Sequence, residues 1–428
     1  MTPPRFVPRH LSGPILRTLR HFPVAGITGA RQVGKSTLAQ SLISDEWPAV
    51  YMTLDDRAAL TAALQDPEGF IEGNPPPLIL DEVQRAPALL LALKGAVDRH
   101  RRPGSYLVTG SANLLTLKRV SETLAGRAVY HELLPLSWSE LAGRQSPAAV
   151  IDSLFEVRGA REFITRWTDL VEPQASRQEL AARILAGGYP DAALTGDPWV
   201  RRQWFEGYRQ TYLTRDVRDL AAVEHMPAFD RLLVTTALRT GQILNQSELA
   251  RDLGVPYSTL RRYLSLLELT YQVWFLRPYH MNNPGLRLVK SPKLYHMDTG
   301  LAAYLAAMDD WAAVERQGRQ GQLFETWVAG ELKKALPLCA RATSLWFWAS
   351  HQGREVDFVL ERGADVVGIE AKWGAEVDRA ALRGLTALKA AAGRGFRMGV
   401  VVHTGPTMVA LAEDIVAVPV HVLLGGIP

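Results

Sequence analysis

The chain has 428 residues, of which 47% are apolar and 21% charged, and its 48 basic and 44 acidic side chains give a net charge of +4. A chain of this length is too long for a single hydrophobic core, and its ordinary composition excludes a disordered protein. The lone Cys339 excludes a disulfide framework and a multi-cysteine metal site. Charges and prolines interrupt every long apolar window, so we predict a cytoplasmic protein with no membrane partner.

A phosphate loop is the first predicted feature with chemical meaning. A helix over Leu11–Arg20 leads into a short buried strand, Pro23–Thr28, and the segment GARQVGKST follows with the pattern G-x-x-x-x-G-K-[ST]. Its glycines permit a backbone that turns N–H groups toward nucleotide phosphates, its lysine adds a positive charge, and its serine offers a hydroxyl to Mg²⁺. We predict that the nucleotide is bound by Gly29, Ala30, Arg31, Gln32, Val33, Gly34, Lys35, Ser36 and Thr37.

Two acidic residues complete the predicted nucleotide site. After a second strand, Ala49–Leu54, the apolar run Leu78–Leu80 ends in Asp81 and Glu82. A buried strand of this kind delivers carboxylates to the Mg²⁺ edge of a nucleotide, with Asp81 serving the metal and Glu82 polarising the attacking water. The alternative is a strand followed by a solvated turn.

Two further groups are predicted at the ends of later segments. The strand Ser105–Thr109 precedes Asn113 and Ser111, either of which could sense the γ-phosphate. Arg127 precedes the strand Ala128–Leu133 and is either an arginine finger on the nucleotide of a neighbouring subunit, in a homo-oligomer, or a surface residue. Strands alternating with helices up to residue 145 predict an α/β fold with a mainly parallel sheet.

The middle of the chain is predicted to be helical. Residues 146–225 show helical spacing over Phe155–Trp167, Arg177–Leu185 and Trp199–Leu220, which indicates a helical lid and connector. Arg215 and Asp216 could form an internal ion pair.

Residues 226–300 predict a winged helix-turn-helix. Helices over Pro227–Thr240, Gln246–Leu253 and Tyr257–Leu269 surround a turn at Gly254, and strands over Tyr271–Pro278 and Leu286–Tyr295 would form the wing. The third helix turns its apolar residues to one side, and the residues predicted to contact DNA are Ser258, Arg261 and Arg262. The alternative is a module that packs against other domains or protein partners.

A second chemical site is predicted near the C-terminus. Asp357 lies on one strand of a predicted hairpin, while Glu370 and Lys372 share one face of the next strand. Carboxylates from Asp357, Glu370 and Glu325, on an amphipathic helix over Leu323–Leu336, could bind Mg²⁺, and Lys372 could position a water for attack on a phosphodiester. The alternative is a surface hairpin with an ordinary exposed pair. A helix over Ala380–Ala391 and a strand over Arg397–His403 would complete this domain.

These motifs together resemble a known family. The run GARQVGKST, the acidic strand LILDEVQ, LAGR followed by LLPLSWSEL, and then GGYP, YLTRDV and KSPKLYHMDTG are similar to the AAA+-superfamily ATPases that carry a C-terminal DUF4143 domain. The resemblance implies an AAA+ core, a winged helix and a C-terminal domain like the PD-(D/E)XK nucleases. It also implies nucleotide and Mg²⁺ binding by Gly29, Gly34, Lys35, Ser36, Asp81 and Glu82, and a nuclease-like triad of Asp357, Glu370 and Lys372 with Glu325 beside it. Ala30 and Ser36 depart mildly from the proline and threonine that the family often has.

We therefore predict an ATP-hydrolysing, DNA-associated protein that uses ATP and Mg²⁺, with a C-terminal domain that cleaves or holds nucleic acid. The alternative is a nucleotide-gated regulatory or toxin-like switch that contacts protein partners without cutting DNA. The predicted domains are an ATPase core (1–145), a helical lid (146–225), a winged helix (226–300) and a nuclease-like domain (301–428).

Overall fold

The protein is described by a computed structural model that covers residues 6–111, 124–168, 176–212, 217, 223, 225–280, 285, 291–350, 353–374 and 379–428. The chain divides into two compact units. We call Pro8–Pro135 with Leu267–Gln272 the N-terminal unit, and Leu136–Leu266 with Val273–Pro428 the C-terminal unit. The four predicted domains are a finer division than these two units and stay a prediction. Each helix in the described part of the chain is too short or too polar to cross a membrane.

A five-stranded parallel sheet forms the centre of the N-terminal unit, in the order β2-β3-β4-β1-β5. Its strands are β1 (Val24–Thr28), β2 (Val50–Thr53), β3 (Leu78–Asp81), β4 (Tyr106–Gly110) and β5 (Ala128–Glu132). Every residue of β1, β3 and β4 is buried, as expected for apolar strands covered on both faces. The predicted parallel sheet is confirmed.

Five α-helices surround this sheet within the described residues: α1 (Ser12–His21), α2 (Lys35–Ser41), α3 (Arg57–Gln65), α4 (Pro67–Gly73) and α5 (Leu89–Arg99). The side chain of Asp56 accepts a hydrogen bond from the Ala59 N–H and so caps the start of α3. Leu93 and Val97 of α5 are fully buried in one cluster with Leu78 and Val108 of the sheet. This core fixes the sheet edge at which the phosphate loop begins.

The described part of the C-terminal unit opens with six α-helices: α6 (Trp138–Leu141), α7 (Ala148–Glu156), α8 (Ala160–Thr168), α9 (Arg177–Ala186), α10 (Pro190–Leu194) and α11 (Pro198–Thr211). The single helix predicted over Phe155–Trp167 is wrong, because α7 ends before Gly159 and α8 begins after it. A Cβ at Gly159 would lie 2.6 Å from the carbonyl oxygen of Glu413, to which the Ala160 N–H donates at 2.8 Å. The predicted pair Arg215 and Asp216 lies outside the described residues.

The next segment contains α12 (Met226–Leu238), β6 (Gln242–Ile243), α13 (Gln246–Leu253), α14 (Tyr257–Leu269), β7 (Val273–Leu276) and β8 (Lys293–His296). Its three predicted helices are confirmed, and Gly254 ends α13 in the left-handed conformation with φ of 64°. The strands form a small antiparallel sheet in the order β6-β8-β7, in which β8 is central. The first wing strand is shorter than the predicted Tyr271–Pro278, and part of the second, Leu286–Tyr295, lies outside the described residues. Whether this segment acts as a winged helix stays a prediction.

A mixed six-stranded sheet ends the chain, in the order β13-β14-β12-β11-β10-β9. The elements are α15 (Thr299–Leu305), α16 (Trp311–Arg316), α17 (Gln320–Ala335), β9 (Ser344–Ala349), β10 (Glu355–Arg362), β11 (Asp365–Lys372), α18 (Arg379–Ala392), β12 (Phe396–His403), β13 (Val409–Ala412), β14 (Ile415–Pro419) and α19 (Val420–Leu424). The predicted hairpin is confirmed as the antiparallel pair β10 and β11, whereas β12 and β14 run parallel to β11. The helices α7 and α8 contact this sheet through β11, β12 and β13.

Candidate nucleotide site and carboxylate cluster

Two glycines of the phosphate loop adopt backbone angles that favour glycine. Gly29 has φ of 152° and Gly34 has φ of 92°. A Cβ at Gly29 would collide with the carbonyl oxygen of Leu133, so the close approach of these two backbones requires glycine. The loop therefore closes over the end of β1 and delivers the chain directly into α2.

Lys35 is buried inside the loop. Its side chain is 4% exposed, and its Nζ donates hydrogen bonds to the carbonyl oxygens of Gly29 at 3.1 Å and Ala30 at 2.8 Å. A buried ammonium attracts anions, because the low dielectric around it strengthens its field. The lysine is thus placed as the predicted phosphate interaction requires.

Asp81 is held by three hydroxyl groups from three different segments. Ser36 Oγ donates to both of its carboxylate oxygens, at 3.0 Å and 2.9 Å, and the Tyr51 hydroxyl donates at 2.8 Å. Thr109 Oγ1 also donates to Asp81. Burial and the hydrogen bond to Asp81 raise the pKa of Tyr51. The adjacent Ser36 and Asp81 oxygens fit Mg²⁺, which prefers hard oxygen ligands and keeps several waters.

Glu82 is oriented by neighbours that the sequence analysis did not assign. It lies in the left-handed region with φ of 58°, and its N–H donates to Thr109 Oγ1 at 3.2 Å. Gln84 Nε2 donates both to the carboxylate of Glu82 and to Ser111 Oγ, the second at 2.9 Å. Ser111 therefore belongs to the network at this sheet edge, whereas the other predicted sensor, Asn113, lies outside the described residues.

Arg9 is a further residue that sequence reasoning missed. Its guanidinium donates to the Val33 carbonyl oxygen at 2.9 Å and to the Leu134 carbonyl oxygen at 2.6 Å. It thus ties the middle of the phosphate loop to the segment after β5. No sequence pattern marks Arg9, since it lies in a proline-broken stretch well before the loop.

Arg127 is paired within the N-terminal unit. Its Nε and one terminal nitrogen donate to the two oxygens of Asp98 at 2.6 Å and 3.0 Å, and this hydrogen-bonded pairing lowers the pKa of Asp98 and raises that of Arg127. A role as an arginine finger would require this surface pair to open, and that role stays a prediction.

The four predicted residues of the C-terminal site lie together. Phe358 pairs with Ile369 in the hairpin, so the next positions, Asp357 and Glu370, are opposite each other. The Ala371 N–H donates to Asp357 Oδ2 at 3.0 Å, and Lys372 Nζ lies 3.4 Å from Glu370 Oε2. The register that the prediction needed is therefore present.

Lys293, which the sequence analysis did not assign, enters the same cluster from β8. Its Nζ donates to Glu325 Oε1 at 2.9 Å and lies 3.6 Å from Asp357 Oδ1. The Tyr295 hydroxyl, on the same face of β8, donates to the same Glu325 oxygen at 2.6 Å. A lysine and a tyrosine two positions apart in an apolar strand were the only sequence signal of this arrangement.

Burial sets the protonation of this cluster. Burial and the charge of Asp357 raise the pKa of Glu370 to about 9, and the same two causes raise the pKa of Glu325 to about 7. Burial alone would lower the pKa of Lys293, but the carboxylates of Glu325 and Asp357 outweigh it and raise that pKa. These pKa shifts favour the protonated form of Glu370 and the charged form of Lys293.

Mg²⁺ does not fit this cluster as the structure arranges it. The Lys293 ammonium lies between Glu325 and Asp357, which were predicted with Glu370 as the metal ligands. Within the described ranges, no three or more His, Cys, Asp or Glu side chains are grouped so that they could hold a metal ion. The predicted proximity of these carboxylates is present, and the Lys293 ammonium lies between two of the predicted metal ligands.

The predicted DNA-contacting residues share the exposed side of α14. Ser258, Arg261 and Arg262 are exposed, while Leu260 and Leu264 are buried on the opposite side. The guanidinium of Arg262 lies 5.7 Å from the ring of Tyr263. DNA contact by this surface stays a prediction.

Comparison with known proteins identifies three matching family models. Residues 21–142 match the AAA domain, residues 177–312 match a domain of unknown function, DUF8612, and residues 320–423 match a second domain of unknown function, DUF4143. The AAA match supports an ATPase-type function for the region that holds the phosphate loop.

Two curated relatives align over nearly the whole chain. They are the uncharacterized proteins Mb2031c of Mycobacterium bovis and Rv2008c of Mycobacterium tuberculosis, each 29% identical over 418 residues, which are 97% of this chain and 84% of the relative. Among solved structures, C. elegans PCH-2 is 12% identical with a TM-score of 0.23, covering 60% of this chain and 66% of that one. A STAND signal transduction ATPase with a tetratricopeptide repeat sensor, from Pyrococcus horikoshii, is 12% identical with a TM-score of 0.23, covering 78% and 46%. TM-scores this low do not establish a common fold.

Proposed function

We propose that the N-terminal unit binds ATP with Mg²⁺ and hydrolyses it. The contact of Ser36 Oγ with both oxygens of Asp81 carries this proposal, because it joins the end of the phosphate loop to the acidic strand. The AAA match over the same region supports it.

Each residue of the site has a separate task in this proposal. The loop N–H groups and Lys35 hold the phosphates, and Ser36 and Asp81 hold the metal. Bound Mg²⁺ would neutralise charge that develops on the phosphates. Tyr51 and Thr109 fix the Asp81 carboxylate through their hydroxyls, so it need not reorganise when nucleotide arrives. Glu82 orients the attacking water, and Gln84 sets the direction of its carboxylate.

Replacing Lys35 with alanine is expected to lower nucleotide affinity and to reduce ATP hydrolysis by at least about 100-fold, because one preorganised positive charge is lost from the phosphate site. Phosphate release by the purified full-length protein and binding of a fluorescent ATP analogue measure both effects. Lys94→Ala, which removes a partly exposed lysine on α5 of the same unit, is the matched control and should retain both. Wild-type hydrolysis in Lys35→Ala would remove the phosphate loop from the mechanism.

We also propose that the exposed side of α14 contacts DNA, an anionic partner. In this proposal the C-terminal unit binds DNA but does not cleave it. The Lys293 ammonium inside the carboxylate cluster favours the nucleotide-gated switch over a nuclease, since the residues present do not fit a metal. DNA or a protein partner would then respond to the nucleotide state of the N-terminal unit.

Salt dependence of DNA affinity tests the α14 surface. The double variant Arg261→Ala/Arg262→Ala is expected to weaken duplex binding and to reduce the slope of log K against log salt by about 1.8, because each lost phosphate contact removes about 0.9 from that slope. The double variant Arg341→Ala/Arg394→Ala removes the same charge from exposed positions elsewhere in the C-terminal unit and should leave the slope unchanged. DNA affinity that is equal in all three proteins would assign α14 to a protein partner instead.

A further inference from the structure

A buried lysine stands where the carboxylate cluster of the C-terminal unit would need a metal. We propose that the Lys293 ammonium permanently replaces the divalent cation in the cluster of Glu325, Asp357 and Glu370, so that this site binds no metal and acts as an internal ion-pair clasp. This inference is independent of ATP hydrolysis by the N-terminal unit, because it concerns a different site.

Two oxygens of the cluster already accept hydrogen bonds from the chain. Glu325 Oε1 accepts from both Lys293 and Tyr295, and Asp357 Oδ2 accepts the Ala371 N–H. The remaining Asp357 oxygen faces Lys293 Nζ at 3.6 Å. A metal would have to displace these donors, since Mg²⁺ requires oxygens at about 2.0–2.1 Å and Ca²⁺ at about 2.3–2.6 Å.

The backbone holds Lys293 in this position. Lys293 pairs with Ile243 of β6 on one side and with Leu276 of β7 on the other, so it lies on the central strand of its sheet. Its side chain is 5% exposed, and its Nζ lies 5.7 Å from the ring of Phe347. Expelling the ammonium would leave a charge buried without its partners, which is strongly unfavourable.

The same contacts give the cluster a mechanical role. Lys293 belongs to the three-stranded sheet, Glu325 to α17, and Asp357 to β10 of the six-stranded sheet. One ammonium thus joins three elements of the C-terminal unit. If a metal held these three elements together, their contact would depend on the concentration of that cation. With Lys293 the contact needs no bound cation.

Metal binding in an Asp81→Asn background tests the proposal, because that substitution removes the carboxylate of the nucleotide site. Equilibrium dialysis with Mn²⁺ or Mg²⁺ alone should show no bound metal in the full-length Asp81→Asn protein, and neither metal nor chelator should shift its thermal unfolding. Adding Lys293→Met should lower the unfolding temperature, and Mn²⁺ should then raise it again, because a cation can enter the vacated position and stabilise the folded state.

Two controls make each outcome decisive. Adding Lys293→Arg instead keeps the charge and should preserve metal-independent unfolding. Adding Lys389→Met removes the half-exposed lysine that pairs with Asp414 at 2.6 Å and should give no response to Mn²⁺. Stoichiometric Mn²⁺ in the Asp81→Asn protein that disappears on Asp357→Asn would overturn the proposal. So would a folded Lys293→Met protein that is indifferent to Mn²⁺. If Lys293→Met does not fold, dialysis of the Asp81→Asn protein alone still decides the metal question.

Discussion

Replacing Glu82 with glutamine is expected to stop ATP hydrolysis while leaving nucleotide affinity intact. An amide of the same shape cannot polarise the attacking water, so turnover should fall by about 100-fold or more, the range found when a general base is lost. Lys35, Ser36 and Asp81 are unchanged in this variant, and the loop should still hold the phosphates. Steady-state phosphate release and ATP-analogue binding, measured on the full-length protein, separate the two effects.

The matched control is Glu68→Gln, which changes an exposed glutamate in the first turn of α4 in the same unit. It should hydrolyse ATP like the wild type. Undiminished turnover in Glu82→Gln would contradict the assigned role of Glu82. If nucleotide affinity is lost together with turnover, the role of Glu82 would instead be to hold the backbone next to Asp81, where it has the left-handed conformation.

The nucleotide site could be predicted from the sequence where its pattern is local. The phosphate loop follows its strand within a few residues, and the acidic pair ends an apolar strand. Both motifs, and the parallel sheet that carries them, could therefore be predicted from neighbouring residues. Tyr51, Thr109 and Arg9 could not be predicted in the same way. Each acts through a contact between segments that are distant in the chain, and each belongs to a residue type that is common in strands or on surfaces.

The carboxylate cluster shows where this local reasoning fails. Alternation along the hairpin correctly placed Glu370 and Lys372 on one face, and the register brought Asp357 opposite them. The chemistry of the site depends, however, on Lys293, which arrives from a different sheet. The three acidic side chains suggested a metal ion because the sequence did not show that Lys293 already supplies a positive charge there.

The break between α7 and α8 has a similar cause. Apolar spacing continued across Gly159 and predicted one helix. In the structure, a Cβ at Gly159 would clash with the Glu413 carbonyl oxygen, which accepts the Ala160 N–H. The same packing places α7 against the six-stranded sheet, where Asp152 meets Arg362 of β10. The helix α7, which was predicted to be part of a lid, thus contributes one side of a buried ion pair in the C-terminal unit.

Replacing Arg362 with methionine is expected to destabilise the C-terminal unit by about 3 kcal/mol, because removing one partner leaves a buried charge uncompensated. The guanidinium donates to Asp152 Oδ1 at 2.6 Å and to Thr343 Oγ1, and it lies 4.2 Å from the centre of the Phe155 ring. The side chains of Arg362 and Asp152 are only 5% and 11% exposed. Urea denaturation of the full-length protein, followed by tryptophan fluorescence, measures the change.

A double variant identifies the cause of that loss. The double variant Arg362→Met/Asp152→Asn should recover part of the stability, because the uncompensated carboxylate is gone. The Ala340 N–H, which donates to Asp152 at 2.9 Å, would still have an acceptor in the asparagine side chain. Arg397→Met breaks the half-exposed pair with Asp365 and should cost only about 0.5 kcal/mol. Equal losses in Arg362→Met and in the double variant would show that packing on Phe155, and not the ion pair, anchors α7 to the sheet.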